Sequence, residues 1–570
     1  MVIIGLDGAT FALLKPWMEA GKLPYLGSLM AQGVRGPLSS SIPPVTAPAW
    51  QCFMTGKNPG KHGVAWFLRR KPNSYEETLV DSTSCDGKTF WELLSEEGKR
   101  VAILNLPFTD PPRKIHGVMI SGFTTPPSRR GDLTYPRELL KEIEGIFGPY
   151  QTHLKTLVFA LVHRVEAAIE GFLSDCRELT DYQFKVAHYL LERDEFDFLL
   201  FYQFTTDRIQ HLLWYILDPT HPWYDQGVAG RYYDKIVDYY HHLDRQIASL
   251  AEKVGEDSTI LVISDHGFGP VHRWVDVNAW LLQEGYIKIR KHPISRLRLL
   301  LWKLGLDPEL FLNTFVKKPL QWKAVQRWIS RAASSGVKAK WESRSQRKRQ
   351  KGGFPFLSLK DVDWSRTKAY CLTGVGMLRI NLQGRDPQGA VPRDEYDALR
   401  DELVAKLKGF VDPTTGQKVN AQVFVKEEIY HGRYLEDMPD IVYLPLEDQY
   451  LAGNPMAFYS SRIVADSGIS GMHRMDGILL AKGRPLKKGA TIEGASILDI
   501  APTVLYLMGS RIPQDMDGRV LTELFEEAFL KEHPIVYAEA TPELERRPVE
   551  VSAEDQEAVL ERLKGLGYID

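Results

Sequence analysis

The sequence has 570 residues, of which 44% are hydrophobic and 25% charged, and its formal net charge at pH 7 is −2. This composition is ordinary for a folded globular protein and excludes a generally basic one. The length exceeds one ordinary core, although a large enzyme domain with insertions could hold most of it.

The cysteine pattern and the apolar runs bear on the cellular location. The four cysteines are widely spaced without any CxxC, which argues against a thiolate zinc site or a disulfide framework and favours a reducing compartment. The opening run MVIIGLDGAT is too short for a signal peptide, and no stretch of about 18 uninterrupted apolar residues occurs. We predict a cytoplasmic protein, with peripheral attachment to a membrane as the alternative.

Short β-branched runs alternate with helical patterns along the chain. The runs predicted as strands are VIIGLDG, RVAILNLPF, GVMISGF, FDFLLFYQF, TILVISDHG and DGILLAKG. Segments between them, such as TFWELLSEEGK, have helical apolar spacing. This alternation predicts an α/β fold with a mostly parallel sheet covered on both faces, in which ligands bind beyond the carboxyl ends of the strands.

A basic region interrupts this alternation. From Lys288 to Lys351 the chain holds 18 Lys and Arg against 3 acids, and Trp and Leu recur there at helical spacing. The pattern predicts amphipathic helices followed by a basic loop. A solvated insertion or lid is the first interpretation, contact with an anionic membrane or an acidic partner the second, and contact with nucleic acid the least favoured.

Two predicted strands end in side chains that can bind metal. TILVISDHG ends with Asp265 and His266, and VIIGLDG ends with Asp7. A carboxylate and an imidazole are common metal ligands, and this edge of a parallel sheet is where active sites lie. Either pattern alone also fits a helix cap or a turn.

Further candidates lie next to two other apolar runs, one pair after the first run and one residue before the second. Asp207 and His211 lie four residues apart at the start of a predicted helix, so both face the same side, and His473 lies in a glycine-flanked loop. Packing and capping roles stay open for each. Together the three carboxylates and three imidazoles suit two divalent metal ions, which could clamp an in-line displacement at phosphorus.

Such a site needs a nucleophile, and Thr46 is the best candidate. It follows Pro-Pro-Val and precedes Ala-Pro-Ala-Trp, where a helix is predicted to begin. The positive end of a helix and a nearby metal would both favour the ionised hydroxyl. The alternative is that Thr46 only caps the helix.

The chain resembles the alkaline phosphatase superfamily in its type I phosphodiesterase / nucleotide pyrophosphatase branch, and is similar to the related cofactor-independent phosphoglycerate mutases. The matching blocks, in the family's order, are GLDGAT, PPVTAPAWQCFMTGKNPGKHGV, TTDRIQH, SDHGFGP, GMHRMDGILLAKG and DIAPTVLYLMG. The resemblance implies a three-layer α/β/α core with an inserted cap. We expect the core at residues 1–272 and 453–530, the insertion at 273–452 with its basic segment at 288–351 and a strand-containing return, and a helical tail at 531–570.

The resemblance also implies roles for the candidate residues. One metal would be bound by Asp7, Thr46, Asp265 and His266, and the other by Asp207, His211 and His473. Thr46 matches the family's nucleophile, which forms a covalent phospho-Thr intermediate. The expected cofactors are two divalent ions, zinc first and manganese as the alternative.

One departure from the family bears on the substrate. Nucleotide pyrophosphatases carry an Asn about one helix beyond the nucleophile, whereas Phe67 lies near that place here, and Asn58 comes before the KHG element. This weakens nucleotide pyrophosphatase activity and leaves a metal-dependent phosphodiesterase as the prediction. A phosphomonoesterase or a phosphotransferase or mutase is the alternative. A sulfatase is disfavoured, because its nucleophile is usually made from Cys or Ser. The expected substrate is a phosphorylated small molecule, lipid or glycan, with the basic segment as a lid or docking surface.

Overall fold

The apolar runs of the sequence form the strands of the computed structural model, which describes residues 1–156, 161–162, 164–312, 314, 356–372, 376–445, 450–452, 458–541 and 551–565. In chain order the strands are β1 (Val2–Leu6), β2 (Val34–Ser39), β3 (Leu68–Arg70), β4 (Glu77–Leu79), β5 (Val101–Leu104), β6 (Gly117–Ile120), β7 (Thr134–Tyr135), β8 (Phe198–Gln203), β9 (Ile260–Ile263), β10 (Gly267–Pro270), β11 (Arg273–Val275), β12 (Ala369–Tyr370), β13 (Met377–Ile380), β14 (Gln422–Val425), β15 (Ile441–Leu444), β16 (Tyr450–Ala452), β17 (Val464–Asp466), β18 (Gly471–Arg474), β19 (Asp476–Lys482), β20 (Ala490–Thr491), β21 (Ala495–Ser496), β22 (Ile512–Pro513) and β23 (Tyr537–Ala538).

Helices separate most of these strands. They are α1 (Phe11–Glu19), α2 (Pro24–Gln32), α3 (Thr46–Thr55), α4 (Pro59–His62), α5 (Phe90–Glu96), α6 (Glu138–Phe147), α7 (Ile169–Arg193), α8 (Thr205–Leu217), α9 (Gln226–Val254), α10 (Val277–Gln283), α11 (Pro293–Lys303), α12 (Pro308–Leu312), α13 (Tyr396–Lys408), α14 (Lys426–Ile429), α15 (Ile500–Leu507), α16 (Glu527–Glu532) and α17 (Ala553–Gly565).

The central sheet has the strand order β20-β2-β19-β9-β1-β8-β5-β6-β7, and β21 also pairs with β2. All of these strands run in one direction except β19 and β7, which pair antiparallel with their neighbours. The predicted mostly parallel α/β fold is therefore confirmed. The reversal of β19 follows from the path of the chain, because β19 directly follows β18, and β18 runs antiparallel to β10, the strand that comes after β9.

Both faces of this sheet are covered. Every residue of β1, β8 and β9 is buried, and since successive side chains of a strand point to opposite faces, protein must pack on each side. On one face Trp50 of α3 lies against Gly5 of β1, where a Cβ atom would come within 2.7 Å of the ring. One group of contacting helices comprises α3, α5 and α15, and another comprises α2, α7, α8 and α9. Helices on both sides of a buried sheet give the predicted three-layer architecture.

A second hydrophobic core lies in the segment after β11. It is built around the antiparallel sheet β12-β13-β15-β14 and includes residues of α10, α11 and α13. Its members run from Val275 to Val464, so Phe458 and Val464 extend it beyond the predicted insertion boundary at 452. Because Phe458 packs against Trp302 of α11, the chain stays with the second core until β17.

The end of the chain packs against the central core. Strand β23 pairs in parallel with β22, so the segment predicted as a helical tail also contributes a strand. Helix α17 buries Val559 and Leu563, which are one turn apart, in the same hydrophobic cluster as the central sheet. Arg562 fixes this helix by donating to the carbonyl oxygens of Phe123 and Thr125.

The basic segment is described in part. Its first predicted helix is α11, where Trp302 is buried and its Nε1 donates to the carbonyl oxygen of Phe458 at 3.0 Å. The other tryptophans of the segment, Trp322, Trp328 and Trp341, lie outside the described residues. Among the described helices, none has the length and apolar character needed to cross a bilayer.

Candidate active site

Two neighbouring strands of the central sheet end at acidic side chains. Asp7 follows β1, and Asp265 and His266 follow β9, its parallel partner. All three side chains are fully buried. His266 Nε2 lies 3.3 Å from Asp7 Oδ1 and 3.5 Å from Asp265 Oδ2. Parallel pairing thus brings the three residues to one point at the carboxyl edge of the sheet, as the sequence predicts.

Neighbouring groups hold these carboxylates in place. The backbone N–H of Gly8 donates to Asp265 Oδ1 at 3.2 Å, and the Tyr202 hydroxyl donates to Asp7 Oδ2. Thr206 Oγ1 donates to the backbone carbonyl of Asp7 at 2.6 Å. Tyr202 could not be recognised from the sequence, since a tyrosine within an apolar strand is typical of an ordinary buried residue.

Helix α8 supplies two more of the predicted residues. It begins just after β8, and its first turns place Asp207 and His211 on one side, with His211 Nε2 3.3 Å from Asp207 Oδ1. Arg208 is also fully buried, with Nη1 3.3 Å from Asp207 Oδ2. Arg208 could not be recognised from the sequence, because only the structure shows that every residue of this helix is buried.

The antiparallel pair of β10 and β18, two strands far apart in the sequence, brings in the last predicted ligand. Phe268 and His473 lie opposite each other in its antiparallel register. His473 Nε2 is 3.2 Å from Asp207 Oδ1 and 3.0 Å from His211 Nε2. Its ring also stacks on that of His266, with centroids 3.6 Å apart and an interplanar angle of 22°. His473 therefore joins the α8 pair to the residues at the strand ends.

All three histidines present the same nitrogen to the site. In each of them Nδ1 lies 2.9–3.0 Å from a backbone carbonyl oxygen, which belongs to Gly471 for His211, to Gly267 for His266 and to Pro44 for His473. Since a carbonyl oxygen can only accept, Nδ1 carries the hydrogen. The Nε2 lone pairs therefore face the carboxylates, which is the usual arrangement of metal-binding histidines.

Thr46 lies beside this cluster. It is the first residue of α3, fully buried, and its Oγ1 is 3.4 Å from His266 Nε2. The N-cap position of α3 is occupied by Val45 and not by Thr46. Val45 makes no side-chain cap hydrogen bond, and the Thr46 hydroxyl lies beside the histidine instead of capping the helix.

Like charges crowd the centre of the site. Burial, reinforced by the charge of Asp7, raises the pKa of Asp265 well above its ordinary value. Burial also acts to raise the pKa of Asp207, but His211 and Arg208 outweigh it and hold that pKa well below the ordinary value. A cation bound between Asp7 and Asp265 would offset the repulsion between their charges and favour the ionised form of both carboxylates.

The donor atoms fit divalent metal ions. Two groups of side chains have their ligand atoms within 4.8 Å of one another, namely Asp207 with His266 and His473, and Asp7 with Asp265 and His266. Carboxylate oxygen and imidazole nitrogen are suitable ligands for zinc and for manganese. His266 is common to both groups, whereas the family resemblance assigns it to the Asp7 group alone.

A cleft opens beside His473. One wall is formed by Pro44, Val45, Met472, His473 and Arg474, and the other by Leu444, Pro445, Tyr450, Leu451 and Ala452, of which Tyr450 and Ala452 belong to the second core. Arg474 is the lining residue with a permanent positive charge. Burial lowers its pKa to about 10, so it remains a cation at neutral pH. Arg474 is not among the residues predicted from the sequence.

The residues considered for the family's Asn position have other roles here. Phe67 is fully buried and packs against Trp66 and Phe108, with ring centroids 5.5 and 5.6 Å away. Asn58 caps α4 by accepting from the N–H of Gly60 at 2.8 Å. The phosphate-binding amide of nucleotide pyrophosphatases is therefore supplied by neither residue.

Comparison with known proteins gives one family and several structures. The family model described as Type I phosphodiesterase / nucleotide pyrophosphatase matches residues 1–473. A search of curated protein sequences finds no significant match. Human ectonucleotide pyrophosphatase / phosphodiesterase 5 is 12% identical, with 94% of this chain and 99% of that chain covered and a TM-score of 0.44. Phosphonoacetate hydrolase from Sinorhizobium meliloti 1021, solved with phosphonoacetate, is 13% identical, with 88% and 93% covered and a TM-score of 0.47.

Proposed function

The chain belongs to the type I phosphodiesterase / nucleotide pyrophosphatase family, and we propose that it cleaves phosphodiesters with Thr46 as nucleophile and two divalent metal ions as cofactors. Membership of this family makes the protein a hydrolase of phosphoric ester bonds. The observation that carries the finer proposal is the position of Thr46 Oγ1, 3.4 Å from His266 Nε2 at the edge of a buried Asp and His cluster.

Two sets of side chains would hold the ions. Asp7, Thr46, Asp265 and His266 form one set, and Asp207, His211 and His473 form the other. Bound there, zinc, or manganese as the alternative, would supply Lewis-acid chemistry that favours the ionised Thr46 hydroxyl and offsets charge on the phosphoryl oxygens. The carbonyl contacts of the three Nδ1 atoms fix the rings, so that no reorientation is needed when a ligand binds.

Thr46 is placed to act by covalent catalysis. As the first residue of α3 it lies at the positive end of the helix dipole, which stabilises an alkoxide and an incoming phosphoryl group. The Oγ1–phosphorus bond forms while the bond from phosphorus to the leaving oxygen breaks, and the hydroxyl proton passes through solvent to the departing alkoxide. Water then attacks phosphorus and releases Thr46, so that two inversions give net retention.

The lining of the cleft supports a proposal for the substrate class. Its lining is mostly apolar, with Arg474 as the cation near His473. Such a wall suits one phosphoryl group attached to a partly apolar or sugar-like body. We propose a phosphorylated small molecule, or the phosphorylated head group of a lipid or glycan, as the substrate.

The test is a paired assay of bis-p-nitrophenyl phosphate and p-nitrophenyl phosphate after chelation and after return of zinc or manganese. We expect metal-dependent diester cleavage that is lost in Thr46→Ala and His473→Ala, with a fall of roughly a thousandfold or more for the nucleophile. Thr55→Val is the matched control, since Thr55 lies in the same helix and its hydroxyl bonds only backbone groups, Gln51 O and Lys57 N–H, away from the cluster. Undiminished turnover by Thr46→Ala would exclude the proposed nucleophile.

A phosphomonoesterase or phosphotransferase is the second candidate, and one observation favours it. Arg474 adds positive charge to the cleft. A monoester dianion would gain more from the cation than a diester monoanion. Higher kcat/KM for p-nitrophenyl phosphate would select this candidate, and transfer of the phosphoryl group to added glycerol would distinguish a transferase from a hydrolase.

A further inference from the structure

Helix α11 has an apolar face that the described part of the chain leaves uncovered. The exposed fraction is 54% for Ile294, Leu297 and Leu300 and 66% for Leu304. Spacings of three and four residues place these four side chains on one side of the helix. An isolated exposed leucine is ordinary, but a contiguous row marks an interaction surface. We name these four residues the α11 face.

The opposite side of the helix is anchored to the second core. Trp302 is buried and donates through Nε1 to the carbonyl of Phe458 at 3.0 Å, and Ser295 Oγ donates to Asp361 Oδ1 at 2.8 Å. Arg298 also pairs with Asp361, at 3.0 Å. These contacts fix the rotation of the helix, so the α11 face cannot turn inward to bury itself.

Positive charge surrounds the α11 face. From Lys288 to Leu306 the sequence contains no acid. Lys291, Arg296 and Lys303 are exposed and form no ion pair within the described residues. An exposed apolar stripe bordered by unpaired Lys and Arg is typical of helices that lie in the head-group region of a bilayer, with the basic side chains reaching toward lipid phosphates.

We propose that the α11 face docks onto the surface of an anionic lipid bilayer. Charge complementarity favours a bilayer over two other ways of covering the α11 face, namely by residues 315–355 of the same chain or by a second copy of the protein. Residues 315–355 of the same chain carry 12 Lys and Arg and one Glu, so covering the face with them would bring like charges together. A second copy docking face to face would also bring Lys291, Arg296 and Lys303 against their own equivalents.

The docking surface and the cleft belong to the same packed unit. Trp302 of α11 shares the second core with Phe458, Tyr450 and Ala452, and the last two line the cleft. A bilayer bound at α11 therefore lies on the body that forms one wall of the cleft. The docking itself needs neither metal nor Thr46, so it can be tested apart from the proposed reaction.

The experiment is co-sedimentation of the full chain with vesicles of phosphatidylcholine alone and of phosphatidylcholine mixed with phosphatidylserine. We expect binding to the anionic vesicles that weakens as salt increases, and a loss of roughly tenfold or more in the double variant Leu297→Gln, Leu300→Gln. Ile146→Gln is the matched control, because Ile146 is also 54% exposed but lies on α6.

Each other outcome would overturn the proposal. Undiminished vesicle binding by the double variant would show that the α11 face does not contact the bilayer. Equal binding to neutral vesicles would show that anionic lipid is not required. Absence of vesicle binding, together with a dimer in light scattering that the double variant dissociates, would assign the face to a second copy. Melting temperature and p-nitrophenyl phosphate turnover of the variants provide the check that folding is unchanged, since the substituted leucines are exposed.

Discussion

The Nε2 atoms of His211 and His473 lie 3.0 Å apart, and the Nδ1 atom of each ring faces a backbone carbonyl oxygen. With hydrogen on both Nδ1 atoms, two lone pairs point at each other beside the Asp207 carboxylate. Such a contact is repulsive unless a proton or a metal ion lies between the nitrogens. Bound metal satisfies both rings and the carboxylate together, so the site favours metal over an empty state.

Metal removal should therefore lower stability as well as activity. An ion that binds only the folded chain at a hundredfold excess over its Kd contributes about 2.7 kcal/mol to the free energy of unfolding. We expect chelation to lower the melting temperature by several degrees, and zinc or manganese to restore it. Scanning calorimetry and metal analysis measure both effects. In His473→Ala the number of bound ions should fall and the chelator should change the melting temperature less. Equal chelator sensitivity in wild type and variant would contradict the assignment of His473.

Gly471 should be necessary for placing both histidines. A Cβ atom there would lie 2.3 Å from the carbonyl oxygen of Gln210 and 3.0 Å from the Phe268 ring. The Gly471 carbonyl is also the acceptor for His211 Nδ1. Gly471→Ala should push β18 away from α8 and separate His473 from Asp207. We expect metal content and diester turnover to fall at least tenfold while the far-ultraviolet circular dichroism spectrum stays native.

A glycine without close neighbours provides the control for this variant. Gly145 lies within α6, and a Cβ atom there would meet no atom within 4 Å. Gly145→Ala should retain metal and activity, and should gain some stability because alanine favours helix. If both variants kept their metal equally, the contact between β18 and α8 would have to be more adaptable than its close backbone approach implies.

Arg474 should distinguish a monoester from a diester. Its Nη1 and Nη2 donate to the carbonyls of His473 and Pro270, which holds a cation at the wall of the cleft. Arg474→Gln keeps polar contacts but removes the charge. We expect KM for p-nitrophenyl phosphate to rise roughly tenfold, as charge-assisted contacts are about twice as strong as neutral ones. KM for the diester should rise less. An equal rise for both substrates would mean that Arg474 does not sense substrate charge.

Parts of this site could be predicted from local sequence, and others depend on contacts between distant segments. Asp7 and Asp265 follow apolar runs, so the parallel sheet brings them together by its topology alone. His473 offered no such signal, because its position depends on the register of β18 against β10, whose GFGP sequence is typical of a loop. Arg474 and Arg208 could not be identified from spacing, since a cation in a sequence does not reveal whether it will be buried. The domain boundaries remain a prediction, and the contact of Phe458 with Trp302 is an example of the long-range packing on which such boundaries depend.

The second core contains a buried ion pair that should make stability depend on acid pH. Asp440 is fully buried, and Arg385 donates to both of its carboxylate oxygens at 2.7 Å. Tyr396 and the N–H of Ile380 complete its hydrogen bonds at 2.6 and 2.7 Å. Burial acts to raise the pKa of Asp440, but the hydrogen bonds and charge of Arg385 outweigh it and lower the pKa from 3.8 to about 2.

Because the folded chain holds this pKa below its unfolded value, ionised Asp440 stabilises the fold fully above pH 3.8, and the contribution is lost as the pH falls toward 2. The shift corresponds to roughly 2 kcal/mol. At pH 7, Asp440→Asn should cost about 3–5 kcal/mol, since it removes one of the two buried carboxylates that pair with Arg385 and takes a carboxylate partner from the buried Lys426 ammonium. Urea unfolding followed by tryptophan fluorescence measures the free energy of unfolding of Asp440→Asn and of wild type. The difference between the two should be constant between pH 5 and pH 8, roughly the range in which the carboxylate stays ionised in both the folded and the unfolded state, and it should shrink in more acid solution. Asp397→Asn is the control, because its pair with Arg400 is exposed to solvent and should contribute under about 1 kcal/mol. A difference that stayed unchanged in acid would show that the Asp440 carboxylate does not carry the charge in the folded protein.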